Sequence, residues 1–268
     1  MTGPEHYPTT GPEPVGVEPS VDLDIFPPEQ HSRLTVLFRL LLVIPQVIVL
    51  WFLGLAAFVV LVCGWFGALV LGRLPQWCDE FLRGYLTYTT RVTAYGMLLV
   101  DAYPPFAWNP VDYPVRVLYS PATPLNRLAV LFRIVLAFPI VVLSSWFATG
   151  WAILAFFLWV IVLVTGRMPR AVFEATAAVV RIELRTNAYT YLVTPTYLKG
   201  VFGDSAPLAY PNQPPAQSPT RPLVVAKSGR ILLIAILILG ILGSIGQTAA
   251  QSTVDYDDSD TVSVSQTR

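Results

Sequence analysis

Arginine is the residue whose placement in this chain asks for chemistry. Arg33 and Arg39 stand in "RLTVLFRLLLVIP", and Arg127 and Arg133 stand in "RLAVLFRIVLAFP" 94 positions later. A guanidinium carries five donors in a planar fork that grips a phosphate or carboxylate through paired hydrogen bonds. At the edge of an apolar run, its stem can lie along hydrocarbon while its head reaches the lipid headgroups. We therefore read Arg33, Arg39, Arg73 and Arg91, with Arg127, Arg133, Arg167 and Arg185 at the same offset, as anchors at the membrane boundary and contacts for lipid headgroups. Topology anchoring and a specific lipid site overlap, and the pattern is open to both.

Other chemistry is thinly provided. The only histidines are His6 and His31, and Leu125 stands where a second copy of His31 would fall. Cys63 and Cys78 face Phe157 and Val172 at the repeat offset, so we read neither a disulfide framework nor a metal site from them. There is no phosphate-binding loop, glycine-rich dinucleotide turn or metalloprotease helix motif. Asp79 and Glu80 are adjacent, so their carboxylates point different ways on a helix. The expectation is a non-enzymatic protein without a cofactor or metal, and no nucleic-acid partner for a chain of zero net charge.

The elements that position these arginines are apolar. Of 268 residues, 54% are hydrophobic and 13% charged, where a soluble domain has about 25% charged. Leu40 to Gly72, Ile134 to Gly166 and Ile231 to Val254 contain no charge, and spanning a bilayer takes roughly 20 apolar residues. Residues 1–18 are rich in proline and acid and lack the apolar core of a signal peptide, so we expect an uncleaved, disordered arm.

The repeat extends far beyond its opening. At an offset of 94 without a gap, Val21 faces Val115, Pro45 faces Pro139 and Trp65 faces Trp159. Gly72-Arg73 and Pro75 face Gly166-Arg167 and Pro169, Glu80 faces Glu174, and Tyr95 and Tyr103 face Tyr189 and Tyr197. The units run over residues 19–112 and 113–206. A short strand such as "YPVRVLYSP", then "RLAVLFR", a proline, a long apolar stretch, "TGRMP" and an aromatic second helix together resemble the bacterial membrane family catalogued as domain of unknown function 4389. "DAYPPF", from Asp101 to Phe106, is similar to that family's closing motif, while "TPTYLKG" in the second copy departs from it. Many members carry a histidine after the proline, where this chain has Gln46 and Ile140. The resemblance implies tandem copies, a membrane fold and a membrane location, and no activity.

Within each unit, "SVDLDIF" and "YPVRVLY" alternate as strands do, and if the two pair about a pseudo-two-fold axis, Asp22 and Asp24 lie near Arg116. The 38 residues from Leu34 to Leu71 would make a helix about 57 Å long against a hydrocarbon core of roughly 30 Å. Either an interfacial helix to Pro45 precedes one tilted span, or the block is a hairpin turning near Gly54, with Thr149-Gly150 the turn of the second copy. We favour the hairpin. It puts Trp51, Trp146 and Trp151 near an interface and gathers the arginines on one side of the bilayer, as the positive-inside rule asks. "GRLP" and "GRMP" read as corners, with glycine closing one helix and proline opening the next. The following helices, about Gln76–Val100 and Arg170–Val193, mix charge with tyrosine and suit an interfacial or bundle-packed position. Glu80 with Arg83, and Glu174 with Arg181, are the nearest opposite charges, read either as a solvated face or as a buried polar cluster.

After a proline-rich linker, 207–229, comes a transmembrane helix, 230–250, and a disordered acidic tail, 251–268. Gly240, Gly243 and Gly246 could seat this helix on the repeats or on a membrane-protein partner. The fold expected is an all-α integral membrane protein of two tandem pseudo-symmetric helical repeats, each with a short preceding strand, plus one C-terminal transmembrane helix. The function expected is an accessory or scaffolding subunit of the cell envelope, multi-pass in the plasma membrane and touching lipid headgroups. The alternative is a transporter or channel for a small neutral or lipidic cargo.

Overall fold

The computed structural model describes residues 21–108, 110, 112–204, 220 and 222–265, with side chains through Gln247. The expected 1–18 arm with His6, most of the 207–229 linker and residues 266–268 lie outside the described residues. The chain is mostly helical. In order come β1 (Asp22–Ile25), α1 (Arg33–Leu71), α2 (Gln76–Gly96), β2 (Val115–Leu118), α3 (Arg127–Leu131), α4 (Arg133–Thr165), α5 (Arg170–Thr190) and α6 (Lys227–Ser265). Three helices, α1, α4 and Lys227–Gln247 of α6, are long and apolar enough to cross a membrane.

The favoured hairpin is corrected. α1 is helical without a break through Gly54, and α4 through Gly150. A glycine inside a helix costs about 1 kcal/mol, whereas a turn in an apolar stretch would leave several peptide groups without partners, each at a larger cost. No flanking polar or proline residue offers turn chemistry at Gly54. Without that turn, the reasoning that gathered the arginines on one side loses its basis. Trp151 is corrected too: it is buried, and its indole donates to Thr176 Oγ1 at 3.1 Å. Both corners form as read. Gly72 and Gly166 close their helices at φ 70° and 68°, a left-handed conformation that glycine adopts without a Cβ penalty, and Pro75 and Pro169 open α2 and α5.

The two repeats clasp each other reciprocally. β1 and β2 pair antiparallel with Leu23 opposite Val117, its own repeat mate, so the pseudo-two-fold passes through that pair. Asp24 falls opposite Arg116. His31 N–H donates to Gly166 O at 2.8 Å, and Leu125 N–H donates to Gly72 O at 2.8 Å. Each long helix therefore begins where the other ends. The Trp65 indole donates to Val130 O at 2.9 Å, and the Trp159 indole to Val36 O at 2.7 Å. α2 and α5 meet on the axis through Leu86, Thr90, Val180 and Leu184, all buried. They are packed in the bundle beneath the strands, while α1 and α4 leave large apolar side chains such as Leu40, Val70, Ile134 and Phe138 outside. Exposed apolar surface on this scale belongs against lipid or another chain.

α6 breaks the symmetry by packing on α4 and α5 only. The contact is backbone-close: a methyl carbon placed on Gly150 would lie 1.8 Å from Ile236 O, and one on Gly240 would lie 1.8 Å from Trp146 O. Gly243 also faces α4, through Thr149 and Ile153, and a methyl on Gly246 meets nothing within 4 Å. Gly240 and Gly243 are thus used inside the chain, and α6 continues as helix to Ser265, through residues whose composition reads as a tail. Gly150→Leu should lower stability by about 1–3 kcal/mol, the usual cost of overpacking, seen as a thermal midpoint several degrees lower in detergent. Gly246→Leu should leave the midpoint unchanged, and equal midpoints for both variants would rule out this packing.

Candidate functional site

The eight repeated arginines separate into two groups. Arg33, Arg73, Arg127 and Arg167 are exposed at helix ends. Arg39, Arg91 and Arg133 are buried, and Arg185 is largely covered. The reading that Arg39 and Arg133 snorkel outward is therefore corrected: only 2% and 4% of their surfaces remain open. Their donors meet backbone oxygens near the C-terminal ends of α2 and α5, which had no counterpart in local spacing.

In the first copy, Arg39 Nη1 donates to Tyr95 O at 2.7 Å and to Val100 O at 3.1 Å, and Nη2 reaches Asp101 Oδ1 at 2.8 Å. In the second, Arg133 Nε donates to Tyr189 O at 2.8 Å and Nη2 to Thr194 O at 2.5 Å. Each guanidinium also lies over the ring of that tyrosine, 4.4 Å from the Tyr95 centroid and 3.6 Å from that of Tyr189. A cation at a helix C-terminus complements the partial negative charge there. The same turns contain Leu98 and Leu192, both at positive φ, 65° and 64°. A leucine held so costs on the order of 1–2 kcal/mol, and the bonds Leu99 N–H to Ala94 O and Val193 N–H to Ala188 O close the turn around it.

The copies differ at one acid. Asp101 binds Arg39 and also accepts from Ser32 N–H at 3.0 Å, fastening the start of α1 to the end of α2. Pro195 stands at the equivalent position, so Arg133 is held by carbonyls and a tyrosine face. His31 lies beside the first cluster, its Nδ1 3.7 Å from Asp101. Burial, and then the Arg39 charge, hold its imidazole below the ordinary value, with Asp101 acting in the opposite sense. A second buried tie is made by Gln46, just after Pro45. Its Nε2 donates to Pro104 O at 2.8 Å, and its Oε1 accepts from the Tyr88 hydroxyl.

The other inner arginines hold the loops that follow α2 and α5. Arg91 donates to Ala107 O at 2.8 Å and Trp108 O at 2.5 Å. Arg185 donates to Val21 O and Lys199 O and pairs with Asp22 at 2.7 Å, while Arg181 pairs with Asp204 at 2.5 Å. The expected short-range pairs are corrected. Arg83 binds Asp79 and not Glu80, and Glu174 binds Arg170 and not Arg181. In both cases the partners stand four apart on the helix, the spacing that brings side chains together on one face. Neither reading holds for the whole set: Glu80 and Arg170 are exposed, while Arg91, Glu174 and Arg181 are buried without meeting across the two copies.

The exposed arginines are brought together by the reciprocal clasp. Gly72 to Leu125 puts Arg73 and Arg127, one from each repeat, at one junction, and His31 to Gly166 puts Arg33 and Arg167 at the other. Beside the first junction a cleft of about 850 Å³ is lined by Arg73, Gln76, Asp79, Glu80, Thr123 and Leu192 among others. Among the described residues no cluster of three or more His, Cys, Asp or Glu side chains could hold a metal ion. Asp101, Tyr95 and Gln46 were missed as partners; the available signal was a lone acid or amide flanking an apolar run.

These features define a mainly helical protein of two interlocked tandem copies, with three helices fit to cross a membrane. It belongs to the domain of unknown function 4389 family, whose model matches residues 33–107 and 127–197, more than half of the chain. No curated protein and no solved structure matches it.

Removing Arg39 leaves Asp101 and two carbonyls without their cation, so Arg39→Leu should cost about 3–5 kcal/mol. Asp101→Asn should cost under half of that in the same denaturant titration, because Arg133 is held without an acid. Equal losses would mean that the carboxylate, and not the carbonyl pair, secures the helix end. A second expectation concerns pH. Unfolded His31 takes up a proton that the folded imidazole resists, so stability should decline as pH falls below about 6.5. His31→Gln should flatten that slope, and an unaltered slope would assign it to other groups.

Proposed function

We propose that this protein is a non-enzymatic integral membrane protein of the cell envelope, an accessory or scaffolding subunit that holds anionic lipid headgroups at its two basic corners. The observation that carries the reading is that backbone hydrogen bonds join the segments bearing one exposed arginine from each repeat, those of Arg73 and Arg127 at one junction and of Arg33 and Arg167 at the other. Two guanidiniums on a rigid junction suit a phosphate, and the apolar flanks of α1 and α4 would accept the acyl chains. A second reading, transport of a small neutral or lipidic cargo, is favoured by the reciprocal repeats alone, since such pseudo-symmetry frames the path in many transporters.

Native mass spectrometry of the purified protein with phosphatidylglycerol and phosphatidylcholine distinguishes these. Arg73→Gln with Arg127→Gln should weaken phosphatidylglycerol binding at least tenfold, which is about 1.4 kcal/mol and within reach of one charge-assisted hydrogen bond. Phosphatidylcholine adducts should be unchanged. Retained phosphatidylglycerol preference in the double variant would defeat the headgroup reading, and cargo flux by the protein alone in liposomes would favour the second.

A further inference from the structure

The repeats differ in what lies across the outer edge of their strand. In the second copy an extended segment, Thr220 and residues 222–226, covers β1 and the first turns of α5. The Thr220 hydroxyl donates to Leu23 O at 2.8 Å and accepts from Ile25 N–H at 2.9 Å. Leu223 exchanges bonds with Asp204, its N–H to Oδ2 at 3.0 Å and its O from the Asp204 N–H at 2.8 Å. Ala226 N–H donates to Glu174 Oε2 at 2.7 Å, and Leu223 and Val225 are buried.

At the offset of 94, those contact points fall on Val117, Tyr119, Pro110 and Glu80 of the first copy. All four line an open groove of about 870 Å³. Its walls include Trp77, Phe81 and Trp108, with Trp77 and Trp108 exposed, together with Glu80 and three arginines, of which Arg83 is paired with Asp79, Arg91 is buried against Ala107 O and Trp108 O, and Arg116 is exposed. Asp22 and Ala177 stand where the first copy has Arg116 and Arg83, and the arginines of the filled counterpart, Arg181 and Arg185, are paired with Asp204 and Asp22, so the acids that balance that side have no equivalent at Pro110 and Arg116.

We propose that residues 1–20 of the same chain lie in this groove. They carry Pro4, Pro8, Pro12, Pro14 and Pro19, a density that favours extended polyproline conformation. Grooves walled by aromatic rings recognise such segments. They also carry Glu5, Glu13 and Glu18 and no lysine or arginine, which complements the exposed guanidinium of Arg116. The tether is short: Val21 leads into β1, whose neighbour β2 forms one wall of the groove, and paired strands lie only about 4.8 Å apart. Pro110 lacks the carboxylate with which Asp204 clasps Leu223, so charge and ring contacts hold the arm in place of that clasp.

The test is hydrogen exchange on the full chain and on a chain lacking residues 1–18, both in nanodiscs. Deletion should speed exchange at least tenfold at the Tyr119 amide and its neighbours, leave Ile25 unchanged, and be reversed by a synthetic peptide of residues 1–20. Equal exchange with and without the arm overturns the proposal, as does protection that requires added phosphatidylglycerol. A second measurement uses Val15→Cys with Arg116→Cys in a Cys63→Ser, Cys78→Ser background. A disulfide within one chain is expected. A crosslink between two chains would assign the groove to a second copy, and no crosslink at any arm position from 10 to 18 would leave the arm outside it.

Discussion

A guanidinium withdrawn from water costs several kcal/mol unless its donors are met, and this fold is arranged around meeting them. Only 13% of the chain is charged, yet Arg39, Arg91, Arg133 and Arg181 are buried. Each takes backbone oxygens from the turn or loop that follows α2 or α5. For Arg39 and Arg133 these include carbonyls at the helix end itself, Tyr95 O and Tyr189 O, which are short of donors for the same reason that the arginines are short of acceptors, whereas Arg91 and Arg181 reach loop carbonyls farther on. One contact answers both deficits. It fixes the second helix of each copy against the first and determines where the chain goes next.

That constraint explains why the inner helices can be polar in an apolar protein. α2 and α5 hold buried threonines at 87, 90, 176 and 186 along with the arginines, and they sit between the strands and the long apolar helices. The apolar helices can then be nearly featureless outside. Their specificity comes from a few inward groups, such as Arg39, Gln46 and the two indoles that reach across to the other copy. The left-handed leucines, Leu98 and Leu192, occupy the same pivot in both copies. Their strain is tolerated where the arginine contacts and the turn's own hydrogen bonds hold the backbone from both sides.

Much of this was legible because it is local or periodic. The repeat, the three apolar blocks and the glycine and proline corners follow from spacing along the chain, and the strand pairing is one of two readings that it leaves open. The fate of the arginines did not, because Arg39 finds its acceptors 56 to 62 residues away. An arginine that snorkels and one that caps a distant helix look alike in sequence. The hairpin failed for a related reason: Gly54 suggests a turn, but in an apolar setting the helix keeps its peptide bonds satisfied, and the ends are instead tied by the other copy. Reciprocal clasping leaves no trace in a single strand of text, since His31 and Leu125 are different residues that donate through the same backbone atom.

Duplication supplies two equal surfaces, and the departures from equality indicate where one has been given separate work. The Arg133 side has Pro195 in place of the acid, packs α6 through Gly150 and Gly240, and has its strand edge covered by the segment ending at Ala226. The Arg39 side has Asp101, has Gln46 where the other has Ile140, and leaves its strand edge framed by tryptophan and arginine. Trp108 is seated so closely on Gly84 that a methyl there would lie 2.4 Å from its ring. A ring fitted that tightly to a backbone is built as a wall. The covered repeat thus closes its strand edge with backbone bonds, and the first repeat frames the same edge with rings and charge.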